Sequence, residues 1–426
     1  MGKYLRKFET TAAYDAAKDG LIKPNVSYIV EGNGVYYAPV PPPFFCKLTL
    51  NNGEVAELEG SGELTSTMTR QYSATCISAE IGTLCTSIGS GAFNNCSGLT
   101  SVTIPNSVTS IGSGAFYNCR NLTSVTIPNS VTSIATNAFV NCSSLTSIDI
   151  PNSVTSIGGS AFVNCSSLTS ISIPNSVTSI GSNAFNSCTS LTSIVIPNGV
   201  TSIDKSTFYM CSGLTSIDIP SGVTSIDIQA FYNCTSLTSI DIPNSVTSIG
   251  GSAFQNCSGL TSCTIGSGVT SIGNAAFAGC GLVEMYYNAQ CELNSWFGKN
   301  LKTVVIGDST PSIGSQAFYQ CSGLTSCTIG NGVTSIGSNA FDGCSSLTSI
   351  EIPSGVTSIG QGAFSTCSSL STITSHIMSA PSVGGGTFYQ VSNGGTLYVP
   401  IGSSGYETWM NDQGNLGVYN WTKVEQ

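Results

Sequence analysis

The chain is 426 residues long, 40% hydrophobic and only 8% charged, so its surface must be built mainly from Ser, Thr and Asn rather than from ions. The net charge of −10 is unevenly spread: residues 1–75 carry 7 Lys/Arg against 8 Asp/Glu, and residues 76–426 carry 5 against 14. An acidic body has no basic stripe for a phosphate backbone and no basic cluster for an anionic membrane, which excludes nucleic acid and membrane surfaces as partners.

The first residues, Met1-Gly2-Lys3-Tyr4-Leu5-Arg6-Lys7, are basic with no apolar stretch behind them, and no run approaches the roughly 20 apolar residues that cross a bilayer. A protein made without a secretion signal is the expectation. Thr10 to Lys18 suits a short helix ended by Gly20, and Val26–Val30 and Val35–Val40 suit strands around Gly32-Asn33-Gly34. Pro41-Pro42-Pro43 then forms a stiff linker, so residues 1–43 make a small α+β module of their own. Residues 44–75 read as a cap, with a hairpin around Asn51-Asn52-Gly53 and a polar, helix-prone stretch to Ser73.

From residue 76 a unit of about 23 residues recurs, a period that signals a solenoid. From Leu99 it reads L-T-S-V-T-I-P-N-S-V-T-S-I-G-S-G-A-F-Y-N-C-R-N, and about fourteen units run to residue 396. Leu99, Val102 and Ile104 define a short inward-facing strand, and Pro105, which cannot donate to a ladder, marks its end. Val108 and Ile111 suggest a second short extended segment. The G-S-G-A-F-Y-N-C stretch suits one helical or 3₁₀ turn. Stacked at about 4.8 Å per strand, the units would form parallel sheets roughly 65 Å long.

Twelve of the 18 cysteines recur at one repeat position, from Cys96 to Cys367, and a periodic position is a packing position, so these read as buried free thiols. One phenylalanine per unit, Phe93 through Phe364, should stack along the interior. Unit Leu282 to Asn300 breaks the period at 19 residues and gathers Met285, Tyr286, Tyr287, Trp296 and Phe297 in a Ser/Thr-rich setting. Residues 397–426, with Tyr406, Trp409, Tyr419 and Trp421, close the far end.

The repeated phrase S-V-T-I-P-N-S-V-T-S-I-G-S-G-A-F-Y-N-C resembles BspA-like leucine-rich repeats over about residues 44–421. That resemblance implies a leucine-rich-repeat solenoid, with a parallel sheet on one face and short turns or 3₁₀ segments on the other. It also implies adhesion, host-protein binding or scaffolding rather than a defined ligand. The leader K-Y-L-R-K-F-E-T-T-A-A-Y-D-A-A-K resembles modules of phage and prophage structural proteins of gut bacteria. It implies a virion-attached fibre or decoration protein docked to virion proteins through Tyr4, Leu5, Phe8 and Tyr14, with homo-oligomers possible as in many fibres. A bacterial cell-surface adhesin is the alternative.

On such a strand the residues flanking the central apolar one face outward, which makes Asp149, Asp218, Asp241, Glu284, Tyr286, Tyr287 and Glu351 the candidate contacts to a protein or glycan. Asp218 and Asp241 fall in adjacent units, where a carboxylate pair or a calcium site is conceivable, but no cleft or sugar platform accompanies them. His376, the single histidine, lacks a nucleophile elbow or H-E-x-x-H spacing. No enzyme, metal or cofactor is expected; a carbohydrate-active enzyme is the remote alternative.

Overall fold

The computed structural model describes residues 43–294, 299–411 and 415–426, together with strands at Arg6–Phe8, Val26–Glu31 and Gly34–Pro39. These three form an antiparallel sheet with Gly34–Pro39 in the middle. The two expected around Gly32-Asn33-Gly34 are therefore present. The helix expected over Thr10–Lys18, the linker residues Pro41 and Pro42, and Tyr4, Leu5, Tyr14, Trp296 and Phe297 lie outside the described residues.

From residue 76 the chain is a leucine-rich-repeat solenoid. First strands of successive units pair in parallel through most of the stack: Ser124, Val125 and Thr126 lie beside Ser147, Ile148 and Asp149. After it, Pro128 accepts the Val131 amide at 3.0 Å, a turn that leads into the short second strand Ser133–Ile134. That strand pairs with Ser156–Ile157 of the following unit.

Within one unit Leu122, Val125, Ile127, Val131, Ile134, Ala138, Phe139 and Cys142 are all at most 5% exposed. Each large apolar side chain so buried contributes about 1.5–3 kcal/mol. Neighbouring units cover that set on both faces, as Phe116 and Phe162 do for Phe139, so a lone unit could not bury it. Phenylalanines from Phe93 to Phe277 stack as one column, with ring centroids 5.0–5.7 Å apart. The ladder cysteines lie beside them. The Cys142 thiol donates to the Phe116 carbonyl at 3.2 Å, and the same contact recurs at Cys165, Cys188, Cys211 and Cys234.

The A-F-containing stretch is not a helical turn. It is three overlapping β-turns, closed in one unit by Ala138, Val140 and Cys142 amides on the carbonyls of Ala135, Asn137 and Phe139. Asn137 (φ 61°) and Asn141 (φ 60°) are left-handed, which no helix accommodates and which Asn tolerates better than most residues. This conformation swings every second amide along the solenoid axis: Asn137, Phe139 and Asn141 donate to the carbonyls of Gly159, Ala161 and Val163 at 2.8–3.0 Å. The turns therefore form a third ladder. Gly158 stands at the entry to it because a Cβ there would lie 2.5 Å from the Thr136 amide.

Both ends of the stack are closed. At the start, Cys46–Leu50 and Val55–Leu58 form the hairpin around Asn51-Asn52-Gly53, and Cys46–Leu50 pairs antiparallel with Cys76–Ile81. A short helix, Ser66–Thr69, and a 3₁₀ turn, Arg70–Tyr72, follow the hairpin. At the end, the Trp409 ring meets Phe388 at 5.3 Å and its indole donates to Pro381. The last strand, Thr422–Glu425, lies parallel to Thr396–Val399.

Candidate binding surface

Two outward columns line the first-strand sheet, and the strand period of two decides which residues they hold. Thr123, just before the strand, turns its hydroxyl onto the Thr100 carbonyl at 3.2 Å, and Thr146, Thr169 and Thr192 repeat the contact. Those hydroxyls are committed to the backbone. Ser124, Ser147 and Ser170 are exposed, and among the described residues their hydroxyls have no protein partner. The outer surface is therefore a row of available hydroxyls.

Beside it, Asp149, Asp218, Asp241 and Glu351 are exposed on the sheet, and Glu284, in register with Ser262, is exposed in the serine row itself. Asp149 lies between Thr126 and Ser172, Asp218 next to Val195, and Asp241 next to Thr264. Glu351 stands 3.6 Å from the His376 imidazole, a solvent-exposed contact that contributes little. Among the described residues no group of three His, Cys, Asp or Glu side chains is placed to hold a metal ion.

Tyr286 is 40% exposed and sits in register between Thr264 and Val305, an aromatic step in a hydroxyl surface. Tyr287 is a correction. It is 1% exposed, takes the inward place held by Ile265 and Ile306 on either side, and its hydroxyl lies 3.2 Å from the Glu292 carbonyl. Alternation sends Glu284 and Tyr286 out and Met285 and Tyr287 in, so Tyr287 cannot meet a partner there. Burial pushes its phenol far above the usual range, and contact with Cys291 adds to the rise.

Sequence reading missed a second exposed group on the turn side. Tyr209 and Tyr232 stack at 4.9 Å, next to Met210 (39% exposed) and Ile228 (47% exposed). Neighbouring units carry Asn186, Ser187 and Gly251 at the places of Tyr209, Met210 and Ile228, so aligning the units against one another would have marked these positions.

The BspA type leucine-rich repeat region, described as six copies, matches residues 71–192, 178–297 and 290–404. The chain belongs to this family. The BspA-type solenoid is similar to a leucine-rich repeat protein from Bacteroides ovatus ATCC 8483, with 26% identity, a TM-score of 0.62, and 95% of this chain and 100% of that one covered. It also matches a leucine rich cell surface protein from Faecalibacterium prausnitzii A2-165, at 26% identity and a TM-score of 0.36 over 85% of this chain and 93% of that one. A leucine-rich repeat protein from Eubacterium ventriosum ATCC 27560 follows, at 24% identity and a TM-score of 0.39 over 75% and 92% of the two chains. No curated protein matches the BspA-type chain. Among the described residues no helix is long and apolar enough to cross a membrane.

Proposed function

We propose that this BspA-type protein is a non-enzymatic binding and display protein whose first-strand sheet meets a protein or glycan on a cell surface. The observation that carries the reading is the sheet itself: a parallel array with Ser124, Ser147 and Ser170 hydroxyls unpartnered among the described residues, scattered carboxylates, and an aromatic step at Tyr286 beside Val305. Hydroxyls and carboxylates at fixed spacing give polar selectivity, and an exposed tyrosine gives a contact with large area and little entropy to lose. Membership of a repeat family built for surfaces rather than for catalysis supports the same reading.

For display, the resemblance of the leader supports attachment of residues 1–43 to a virion, with the solenoid projecting as a fibre or decoration and copies associating at the base. Display on a bacterial cell is the second route, supported by membership of the BspA-type family.

The test is cell binding by flow cytometry with labelled protein on panels of gut-bacterial and epithelial cells. Tyr286→Ser combined with Val305→Thr should lower binding at least tenfold while circular dichroism is unchanged; full binding by that variant would remove the sheet face from the proposal. Deleting residues 1–43 should abolish incorporation into particles and leave cell binding intact.

A further inference from the structure

The turn side carries a groove that the sheet-face reading does not use. It has a volume of about 410 Å³, within the range of small-ligand sites, and crosses successive units between Arg120 and Thr189. Cys142 and Cys165 are fully buried, and the residues on either side of each stand outward as two rims: Asn141 and Asn164 on one, Ser143 and Ser166 on the other.

The asparagine rim is a hydrogen-bonded chain. The Asn118 side-chain amide donates to Asn95 at 2.8 Å, Asn141 to Asn118 at 2.6 Å, and Asn164 to Asn141 at 2.8 Å. Bonds in such a chain polarise one another. The chain ends inside the groove, because the next unit has Ser187 at this place and its hydroxyl turns to Asn186 at 2.8 Å. Among the described residues the terminal Asn164 Oδ1 therefore accepts from no donor. On the other rim Ser143 donates to the Arg120 carbonyl and Thr189 to the Ser166 carbonyl, but the Ser166 hydroxyl has no protein partner among the described residues.

Arg120 closes one end. It is the only arginine in residues 76–426, a stretch with 5 Lys/Arg against 14 Asp/Glu. Its guanidinium is exposed and pairs with no carboxylate among the described residues. Residues 99–190 hold a single carboxylate, Asp149, and that one stands on the first-strand sheet. The groove is thus a locally positive place on an acidic body, which selects an anion. A guanidinium fork matches a carboxylate with two parallel bonds.

The rest of the lining is amide and hydroxyl, with no apolar pocket in which a peptide side chain would be buried. A sugar ring has hydroxyls that both donate and accept, as the free Asn164 acceptor and the free Ser166 donor require. Arg120 and Asn164 lie two units apart, about 10 Å at the strand spacing, which is longer than one sugar ring.

We infer that this groove binds an acidic oligosaccharide of the uronic acid type. Its carboxylate pairs with Arg120, and its ring hydroxyls bond Asn164 and Ser166. The site is distinct from the sheet face and does not depend on it.

Ligand-observed NMR titration of the full chain tests it. The probe is tri-galacturonic acid, and the control is its methyl ester, which loses the charge and keeps the hydroxyls. The acid should bind, with the ester at least tenfold weaker; no binding of the acid up to its solubility, or equal binding of the ester, would overturn the proposal. Arg120→Gln should weaken binding at least tenfold, and Ser166→Trp, which fills the groove, should abolish it with circular dichroism unchanged. Full binding by the Ser166→Trp chain would overturn the assignment to this groove. A blocked Glu-Gly-Glu peptide should bind at least tenfold more weakly than the acid trimer; equal binding would give the groove to acidic proteins and overturn the sugar assignment. The Tyr286→Ser, Val305→Thr variant should bind the trimer as before, so the sheet face and the groove are read separately.

Discussion

The ladder cysteines Cys142 and Cys211 hold their protons well above the ordinary thiol range while the solenoid is folded. Burial pushes the Cys142 and Cys211 thiols up to about 12 from an ordinary value near 9.0, against a smaller lowering by the amide of the preceding ladder cysteine. Below about pH 9 both folded and unfolded chains hold these protons and the stability is fully present. Between about 9 and 12 only the unfolded chain releases them, so stability falls by about 1.4 kcal/mol per pH unit for each such thiol. Urea unfolding from pH 7 to 11 should show this steep alkaline loss, and replacing Cys142 and Cys211 by Ala should flatten it by about two thiols' worth. A second prediction concerns strain. Met210 is left-handed at φ 57°, where most units carry Asn, Ser or Gln. Left-handed backbone costs an ordinary residue about 1–2 kcal/mol, so Met210→Asn should stabilise the fold by about 1 kcal/mol in urea titration.

At the scale of the repeat, the unit is the smallest piece that can be removed without disturbing register. Deleting residues 145–167 brings Leu168 to the place of Leu145 and keeps every phenylalanine and thiol on its column. The shortened chain should fold with an unchanged circular dichroism spectrum per residue, whereas deleting 145–164 should place Cys165 where Leu145 packs and abolish cooperative unfolding. The same logic explains what was legible beforehand. Leu99, Val102 and Ile104 announce their strand because alternation and burial coincide, and the cysteine column follows from periodicity alone. The A-F turn was misread as helical because Ala and Phe suit a helix. The decisive residues are Asn137 and Asn141, whose left-handed backbone only the unit-to-unit pattern reveals. Tyr287 was misplaced for a simpler reason: two adjacent tyrosines on a strand cannot both face solvent, and composition does not say which one does.

For the whole molecule, the ends decide whether the stack stays closed. Trp409 is fully buried over the last phenylalanine, and Tyr406 bonds both Ser375 and the Ile377 carbonyl. Trp409→Ala should cost about 3–5 kcal/mol. Because coupling in a solenoid runs only between neighbours, that loss should appear as faster hydrogen exchange in residues 364–399 while residues 99–280 keep their protection. The opposite end is closed differently, by an antiparallel hairpin whose outer strand carries Glu57 toward solvent.

The shortened unit also sets how the rod responds to force. Along most of its length, tension on the axis is shared by two strand ladders, the turn ladder and the ring column, all loaded in parallel. Between Phe277 and Phe318 the first-strand ladder runs unbroken from Glu284–Tyr287 to Thr303–Ile306, while among the described residues the second narrows to the single bridge between Leu293 and Ile313. A tether holding a cell through this protein would yield first at that joint, leaving two intact blocks linked by an extensible hinge.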